Sequence, residues 1–425
     1  MKALFVFDRP LYPLRGGAES RAFDHLHYLE SRNIEYDLFL IDKYFNYNQW
    51  NKDSIEMLLD QRRVNKVFLH QVLGKSSFDA AYHKLLSKFY KYINKEPSVL
   101  SLIHFLPFMR RNFRSIVRNN RYDFIFFNHT YISNALVSGF SIPCKTYIDI
   151  HDIHSNLIQE SLDLKKLYSK VSYSGSLRAL TRNKVRDFDY HTSFSQELKV
   201  LRKFNKVITI SNEELNILKQ DESLSSNSIL IPKINFSNNT ISTYAKSYNN
   251  SLEGGINQKF KLLFFGSQYD PNVHGISSFY YNVIPYLNHQ VEILVAGGVS
   301  SYFLNKKHPQ LRVLGFVDNI SDLYKSADAV IVPIFYGSGV SIKAIEALSY
   351  GKPVISTLKG VRGLSLEYGK DVLIAEDIHA FIPLIEKLRL NSNLYNSLSD
   401  NALKYIQKYH SEEIVYSKMD SIFLS

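Results

Sequence analysis

The chain holds one cysteine, Cys144, in 425 residues. An internal disulfide is therefore excluded, and the composition fits a reducing compartment. No run reaches the roughly 18 apolar residues that a membrane-crossing helix needs. The opening stretch Met1–Phe7 is apolar but short. Asp8 and Arg9 interrupt it before signal-peptide length, and no small-residue cleavage site follows. It reads as a first buried strand, and the protein is expected to be cytoplasmic, soluble or at the inner face of the membrane. Internal repeats and low-complexity tracts are absent. The first loop also lacks the Gly-x-Gly-x-x-Gly spacing of nicotinamide-dinucleotide proteins. Acidic residues are in the minority, 40 Asp+Glu against 51 Lys+Arg, for a net charge of +11. That excess favours anionic partners such as nucleotide phosphates or acidic headgroups. No nucleic-acid-binding module is recognisable, so nucleic acid is not expected as a partner.

What is present is ordinary for a globular protein: 45% hydrophobic and 21% charged residues. The length exceeds what one core sustains, so two domains are expected. Tyr (29) and Phe (28) are abundant, which suits carbohydrate or membrane-surface contacts as well as core packing. Strand, loop, helix and strand follow in order over 1–41, the opening of a doubly wound sheet. Residues 44–121 are rich in Lys, Arg, Tyr, Phe and Asn and are expected to be mostly helical. Within them, Leu102, Ile103, Phe105, Leu106, Met109, Phe113, Ile116 and Val117 recur at helical spacing. Arg110, Arg111, Arg114, Arg118 and Arg121 fill the other face, with no acid in the run 100–121. Such a helix can lie on an anionic membrane or pack as an ordinary surface helix. Further strands are expected at 124–128, 145–150, 207–210 and 229–231. Residues 236–258 are rich in Asn, Ser and Gly and read as a linker. From 259 onward, six short apolar strands alternate with helical patterns, which implies a parallel sheet covered on both faces.

The most informative segment runs from Pro333 to Leu364. A buried strand leads into a loop of Gly337, Ser338, Gly339 and Val340, then a helix carrying Lys343 and Glu346, then a second strand. A glycine-bearing turn at a helix N-terminus offers unpaired backbone N–H groups and suits a phosphate. Glu346 lies within reach of a sugar hydroxyl. Lys343, three residues before it on the same face, is placed to neutralise a phosphate oxygen.

The run Gly-Ser-Gly-Val-x-Ile-Lys-x-x-Glu-Ala followed by Gly-Lys-Pro-Val-Ile-Ser-Thr resembles the donor-nucleotide element of retaining glycosyltransferases of family 4, the glycosyl transferases group 1. The resemblance is strong over 259–375, fair at 1–41 and 145–235, and absent across 44–121. It implies an α/β GT-B fold of two facing Rossmann-like domains with parallel sheets. These would span 1–235, the acceptor side, joined by a C-terminal helix at 406–425, and 259–405, the nucleotide-sugar side. It implies transfer of a sugar from a nucleotide-sugar donor to a hydroxyl acceptor, a glycan or glycolipid, with retention at the anomeric carbon. No cofactor and no metal are expected.

By the same resemblance, Glu346 contacts the donor ribose, and Gly16 and Gly17 match paired glycines that approach the donor phosphates. His151, with Asp152 beside it, matches a histidine close to the donor sugar. Gly266 and Ser267 open the second domain. Many relatives follow that glycine with an arginine and a lysine that clamp the diphosphate; here both are missing, and Lys343, Lys233 and Arg362 are candidates to replace them. Ser338 stands where many relatives carry a first glutamate. Asp149, His151, Asp152 and His154 cluster in sequence, but alternation along an extended chain splits them between faces, against a metal site. A nucleotide-sugar epimerase of the same fold and a non-catalytic transferase-like subunit are the alternatives.

Overall fold

The structure is a computed structural model. It describes residues 1–8, 11, 17–42, 52–71, 81, 85, 88, 106–169, 189–235, 259–317, 319–337 and 339–424. The chain divides into two compact units, Met1–Leu162 with Lys184–Ile231, and Asp163–Asn183 with Pro232–Ser425.

The first sheet contains β1 (Lys2–Phe7), β2 (Glu35–Asp42), β3 (Val64–Gln71), β4 (Phe124–Asn128), β5 (Lys145–Ile150), β6 (Lys206–Thr209) and β7 (Ser228–Leu230). Its order is β3-β2-β1-β4-β5-β6-β7, and every neighbouring pair is parallel. The helices described around it are α1 (Gly17–Ser31), α2 (Lys52–Gln61), α3 (Pro107–Asn119), α4 (Thr130–Val137), α5 (His154–Ser169), α6 (Tyr190–Leu201), α7 (Asn212–Lys219) and α8 (Glu222–Ser225). Central strands of such a sheet are covered on both faces. Accordingly, all five residues of β4 are buried, and Phe126 stacks on Phe5 of β1 at 5.4 Å. Each large apolar side chain so buried contributes about 1.5–3 kcal/mol.

Two expectations for 44–121 change. Val64–Gln71 is a strand, paired to β2 at the sheet edge, not part of a helical stretch. Its side chains are largely half-exposed, so Asn65, Lys66 and His70 are tolerated and the apolar signal of a buried strand is lost. Of the basic amphipathic run 100–121, residues 100–105 lie outside the described residues, and the helix within it spans Pro107–Asn119. Met109, Phe113, Ile116 and Val117 are buried in the first core. Arg110 and Arg114 donate to the carbonyl of Ser138, at 2.5 and 2.9 Å, and Arg114 also to that of Gly139. Ser138 caps the C-terminus of α4. Cations are favourable there because the last carbonyls of a helix lack partners. Arg111, Arg118 and Arg121 are exposed.

The second sheet contains β8 (Phe260–Phe265), β9 (Val291–Ala296), β10 (Leu311–Gly315), β11 (Ala329–Val332), β12 (Val354–Ser356) and β13 (Leu373–Ile374). The order is β10-β9-β8-β11-β12-β13, again parallel throughout. Its helices are α9 (Asp270–Asn282), α10 (Ile320–Lys325), α11 (Ile342–Ser349), α12 (Phe381–Leu390), α13 (Ser392–Tyr409) and α14 (Glu412–Phe423). Residues 406–425 lie within the second compact unit. Bonds link this segment to residues within the expected 1–235 span: Asn235 N–H donates to the carbonyl of His410, and His410 Nδ1 lies 2.8 Å from the carbonyl of Lys233. Among the described residues, no helix is long and apolar enough to cross a membrane.

Both strand orders reverse beside the first strand of the sheet, between β1 and β4 and between β8 and β11. In open parallel sheets, ligands bind outside the carboxyl ends of strands at such switch points. Asp149, near the end of β5, anchors the first of these edges. Its buried Oδ2 receives Arg21 Nε at 2.9 Å and lies 2.5 Å from His25 Nε2, both from α1. Arg21 also donates to the carbonyl of Ile231. Burial pushes the Asp149 carboxyl up, but Arg21 and His25 outweigh it and hold it well below the usual carboxylate range. Removing one partner strands the others as buried charge. Asp149→Ala is therefore expected to destabilise the fold by roughly 3–5 kcal/mol, measured by urea unfolding.

Candidate functional site

The first cluster sits at the carboxyl edge of the seven-stranded sheet. Asp8 follows β1, Asn128 ends β4 with His129 just past it, and His151 follows β5. The His151 side chain is half-buried. Its Nε2 lies 3.4 Å from Asn128 Oδ1, a long contact, while Asn128 Nδ2 donates to the Val6 carbonyl at 3.0 Å. That second bond turns the amide so that its oxygen faces His151. The His129 and His151 rings are 4.3 Å apart, and His129 Nδ1 lies 3.0 Å from Asp8 Oδ1. Asp152 follows, also half-buried. The turn is then fixed by the start of α5: Glu197 of α6 accepts from the N–H groups of His154 and Ser155 and from Ser155 Oγ. A carboxylate at a helix N-terminus satisfies amides the helix leaves open. Burial still raises the Glu197 pKa, with the Ser155 and His154 bonds opposing.

Asp149 faces Arg21 and His25, so the four acids and histidines of 149–154 do not converge. Among the described residues, no group of three His, Cys, Asp or Glu is placed to hold a metal. Gly17 is the first residue of α1, and Gly16 lies outside the described residues.

The second cluster sits at the carboxyl edge of the six-stranded sheet. After β11 the chain runs through Pro333 to Gly337 and Gly339, both at positive φ (127° and 72°). Side chains disfavour that region, so glycine suits these turns. Ser338 lies outside the described residues. Val340 packs against the second core, and α11 begins at Ile342. A short helical turn, Lys359–Val361, follows β12 and brings Arg362 to the loop. The Arg362 carbonyl accepts from Ser341 N–H at 3.4 Å, and a Cβ built on Gly337 would lie 3.0 Å from the Arg362 guanidinium.

Lys343, in the first turn of α11, donates from Nζ to Asn272 Oδ1 at 2.8 Å. Asn272 Nδ2 in turn donates to the carbonyl of Ser267 at 3.1 Å, just past Gly266. The predicted Gly266–Ser267 turn and Lys343 are thus brought together through Asn272. Close backbone packing makes this possible: a Cβ on Gly275 of α9 would fall 2.2 Å from the Pro333 carbonyl. Burial and the nearby Arg362 push the Lys343 ammonium down to about 8, with Glu346 opposing. Glu346 lies one turn on. Burial raises its pKa, while the hydrogen bond from Tyr324 and the charges of Lys233 and Lys343 lower it. Tyr324 OH donates to Glu346 Oε2 at 3.1 Å, and its ring stacks on Tyr350 at 4.8 Å.

Chemically, the second cluster combines the start of a helix, two cations close together and a carboxylate held by a tyrosine. It is suited to a phosphate beside a hydroxyl-bearing group. Asn272, Tyr324, Asp8 and His129 were not singled out in the sequence. Nothing local marks Tyr324, Asp8 or His129, because their partners are distant along the chain.

Comparison with known proteins bears on the fold and on the segment that carries the second cluster. Residues 259–391 match the family model described as Glycosyl transferases group 1. An uncharacterized 44.6 kDa protein in the cps region of Klebsiella pneumoniae is 20% identical over 336 residues, 75% of this chain and 79% of that protein. Sucrose-phosphate synthase from Thermosynechococcus elongatus superposes with a TM-score of 0.65 at 15% identity, over 100% of this chain and 98% of that one. TarM of S. aureus, in a complex containing UDP, gives 0.63 at 13% identity over 100% of both chains. HepE of Anabaena, in complex with UDP and glucose, gives 0.62 at 15% identity over 99% and 98%. The fold is GT-B. The matched segment and the fold together support a GT-B glycosyltransferase.

The Tyr324–Glu346 bond is open to test. Tyr324→Phe removes the donor, so the Glu346 pKa should rise further, seen by carboxyl NMR titration. Stability should fall by about 1 kcal/mol.

Proposed function

We propose that this protein is a retaining glycosyltransferase that moves a sugar from a nucleoside-diphosphate sugar to a hydroxyl acceptor, a glycan or glycolipid. The observation that carries it is the opening of α11: Gly337, Gly339 and Val340 with Lys343 and Arg362 beside them and Glu346 one turn on. The diphosphate lies against the loop amides, with Lys343 and Arg362 neutralising the charge that develops on it as it leaves. These two cations stand in for the Arg/Lys pair missing after Gly266. Glu346 accepts hydrogen bonds from the ribose hydroxyls. The resemblance also assigns donor binding to Gly16, Gly17, Ser267 and Ser338, and a role toward the transferred sugar to His151 and Asp152. Retention, the acceptor class and family 4 membership rest on the resemblance of the 337–357 run. The HepE and TarM complexes with UDP favour a uridine donor. The exposed Arg111, Arg118 and Arg121 support contact with an anionic membrane surface, where a lipid-linked acceptor would lie.

A thermal-shift screen with UDP, GDP, ADP and dTDP tests the donor site. At least one should raise the melting temperature, since a ligand that binds only the folded state stabilises it. Glu346→Ala should weaken that ligand about tenfold or more, the value of a charge-assisted hydrogen bond. No shift with any of the four would overturn the proposal.

The depressed Lys343 pKa adds a pH signature. Below about 8 the ammonium is charged and favours the diphosphate; above it, binding must first restore the proton. UDP affinity by calorimetry should fall between about pH 7 and about pH 9. Lys343→Met should bind more weakly at neutral pH and lose most of that slope.

A further inference from the structure

Asp8 and His129 play no part in the scheme above, yet they pair at 3.0 Å at the edge of the first sheet, both buried. His129 follows β4 with φ 63° and ψ 128°, and it is one of two non-glycine residues at positive φ among those described. Such a backbone is strained, and it persists only where its surroundings over-determine it. Here they do. The His129 N–H donates to the Asp149 carbonyl, and its own carbonyl accepts from Ser133 N–H and Ser133 Oγ.

His129 occupies the N-cap of α4, a position favouring Ser, Thr, Asp or Asn, and its side chain makes no capping bond. The ring turns instead to Asp8. Asp8 Oδ1 lies 3.0 Å from Nδ1, and Oδ2 accepts from Tyr131 OH at 2.6 Å. With Nδ1–H given to the carboxylate, a neutral ring carries its lone pair on Nε2. Among the described residues the one hydrogen-bond partner of the ring is Asp8, at Nδ1, and the imidazole keeps a small exposure. The ring also lies against His151, at 4.3 Å between centroids.

We propose that His129, held in the Nδ1–H tautomer by Asp8, accepts the hydrogen bond of the acceptor hydroxyl at Nε2 and orients that oxygen for attack. This rests on the transferase reading. It adds to it a residue that touches the acceptor (His129) and a positioning residue (Asp8), neither of which contacts the nucleotide.

The test uses the full chain with UDP-, GDP-, ADP- and dTDP-glucose as donor probes and water or glycerol as hydroxyl probes. His129→Asn is chosen because asparagine tolerates positive φ. It should lower turnover with both hydroxyl probes by about 100-fold, the cost of a misplaced reactant. Affinity for the matching nucleoside diphosphate should stay within about twofold, far inside one tenfold step. Asp8→Asn should cause a similar loss, mainly in kcat. Nitrogen-15 histidine NMR should show Nδ1–H for His129 in the wild type and a mixed or reversed tautomer in Asp8→Asn. Wild-type turnover by His129→Asn, loss of its nucleotide affinity, or an Nε2–H tautomer in the wild type overturns this proposal alone. A wild-type protein that consumes none of the four donors overturns the transferase reading and this proposal with it.

Discussion

Two cations share the opening of α11. Lys343 and Arg362 lie close enough that, together with burial, the second depresses the first to about 8. Like charges gathered in a poorly solvated place are unfavourable by themselves and become favourable when an anion lies between them. Much of the second unit serves this arrangement. Asn272 holds the Lys343 ammonium and links it to Ser267, while Gly275 lets α9 approach the Pro333 carbonyl closely. The turn after β12 carries Arg362 to the loop. Glu346, one turn further along, is kept from the cations' full effect by burial and fixed by Tyr324.

The first unit is organised around a different need. Its carboxyl edge collects polar side chains from β1, β4 and β5 that a covered parallel sheet would otherwise exclude. Each is matched: Asp149 with Arg21 and His25, Asn128 with the Val6 carbonyl, Asp8 with His129 and Tyr131. Matching of this kind makes a buried polar group tolerable and keeps its orientation. The same logic redirects half of the basic face of α3. Arg110 and Arg114 serve the carbonyls at the end of α4, and the outer arginines alone remain for other partners.

Much of this was legible before any coordinates. The strands at 124–128 and 145–150 coincide with those expected, because buried strands of a parallel sheet are short apolar runs bounded by turns. The loop from Gly337 and the helix bearing Lys343 and Glu346 were legible because local backbone demands write themselves into local sequence. β3 was not: an edge strand exposes half its surface, so Lys66 and His70 blur its pattern. Asn272, Tyr324 and the Asp8–His129 contact were not, because each depends on a partner 22 to 121 positions away.

The sequence alone therefore determined the two parallel sheets and the helix start that suits a phosphate. These follow from periodicity and from glycine's backbone freedom, which act over a few residues. Tertiary structure alone decided which cation stands beside Gly337, which amide holds Lys343, and that His129 turns to Asp8 in place of capping its own helix. Those choices arise where chain ends of separate strands meet at one sheet edge, and the balance of burial against charge pairing exists only once they do.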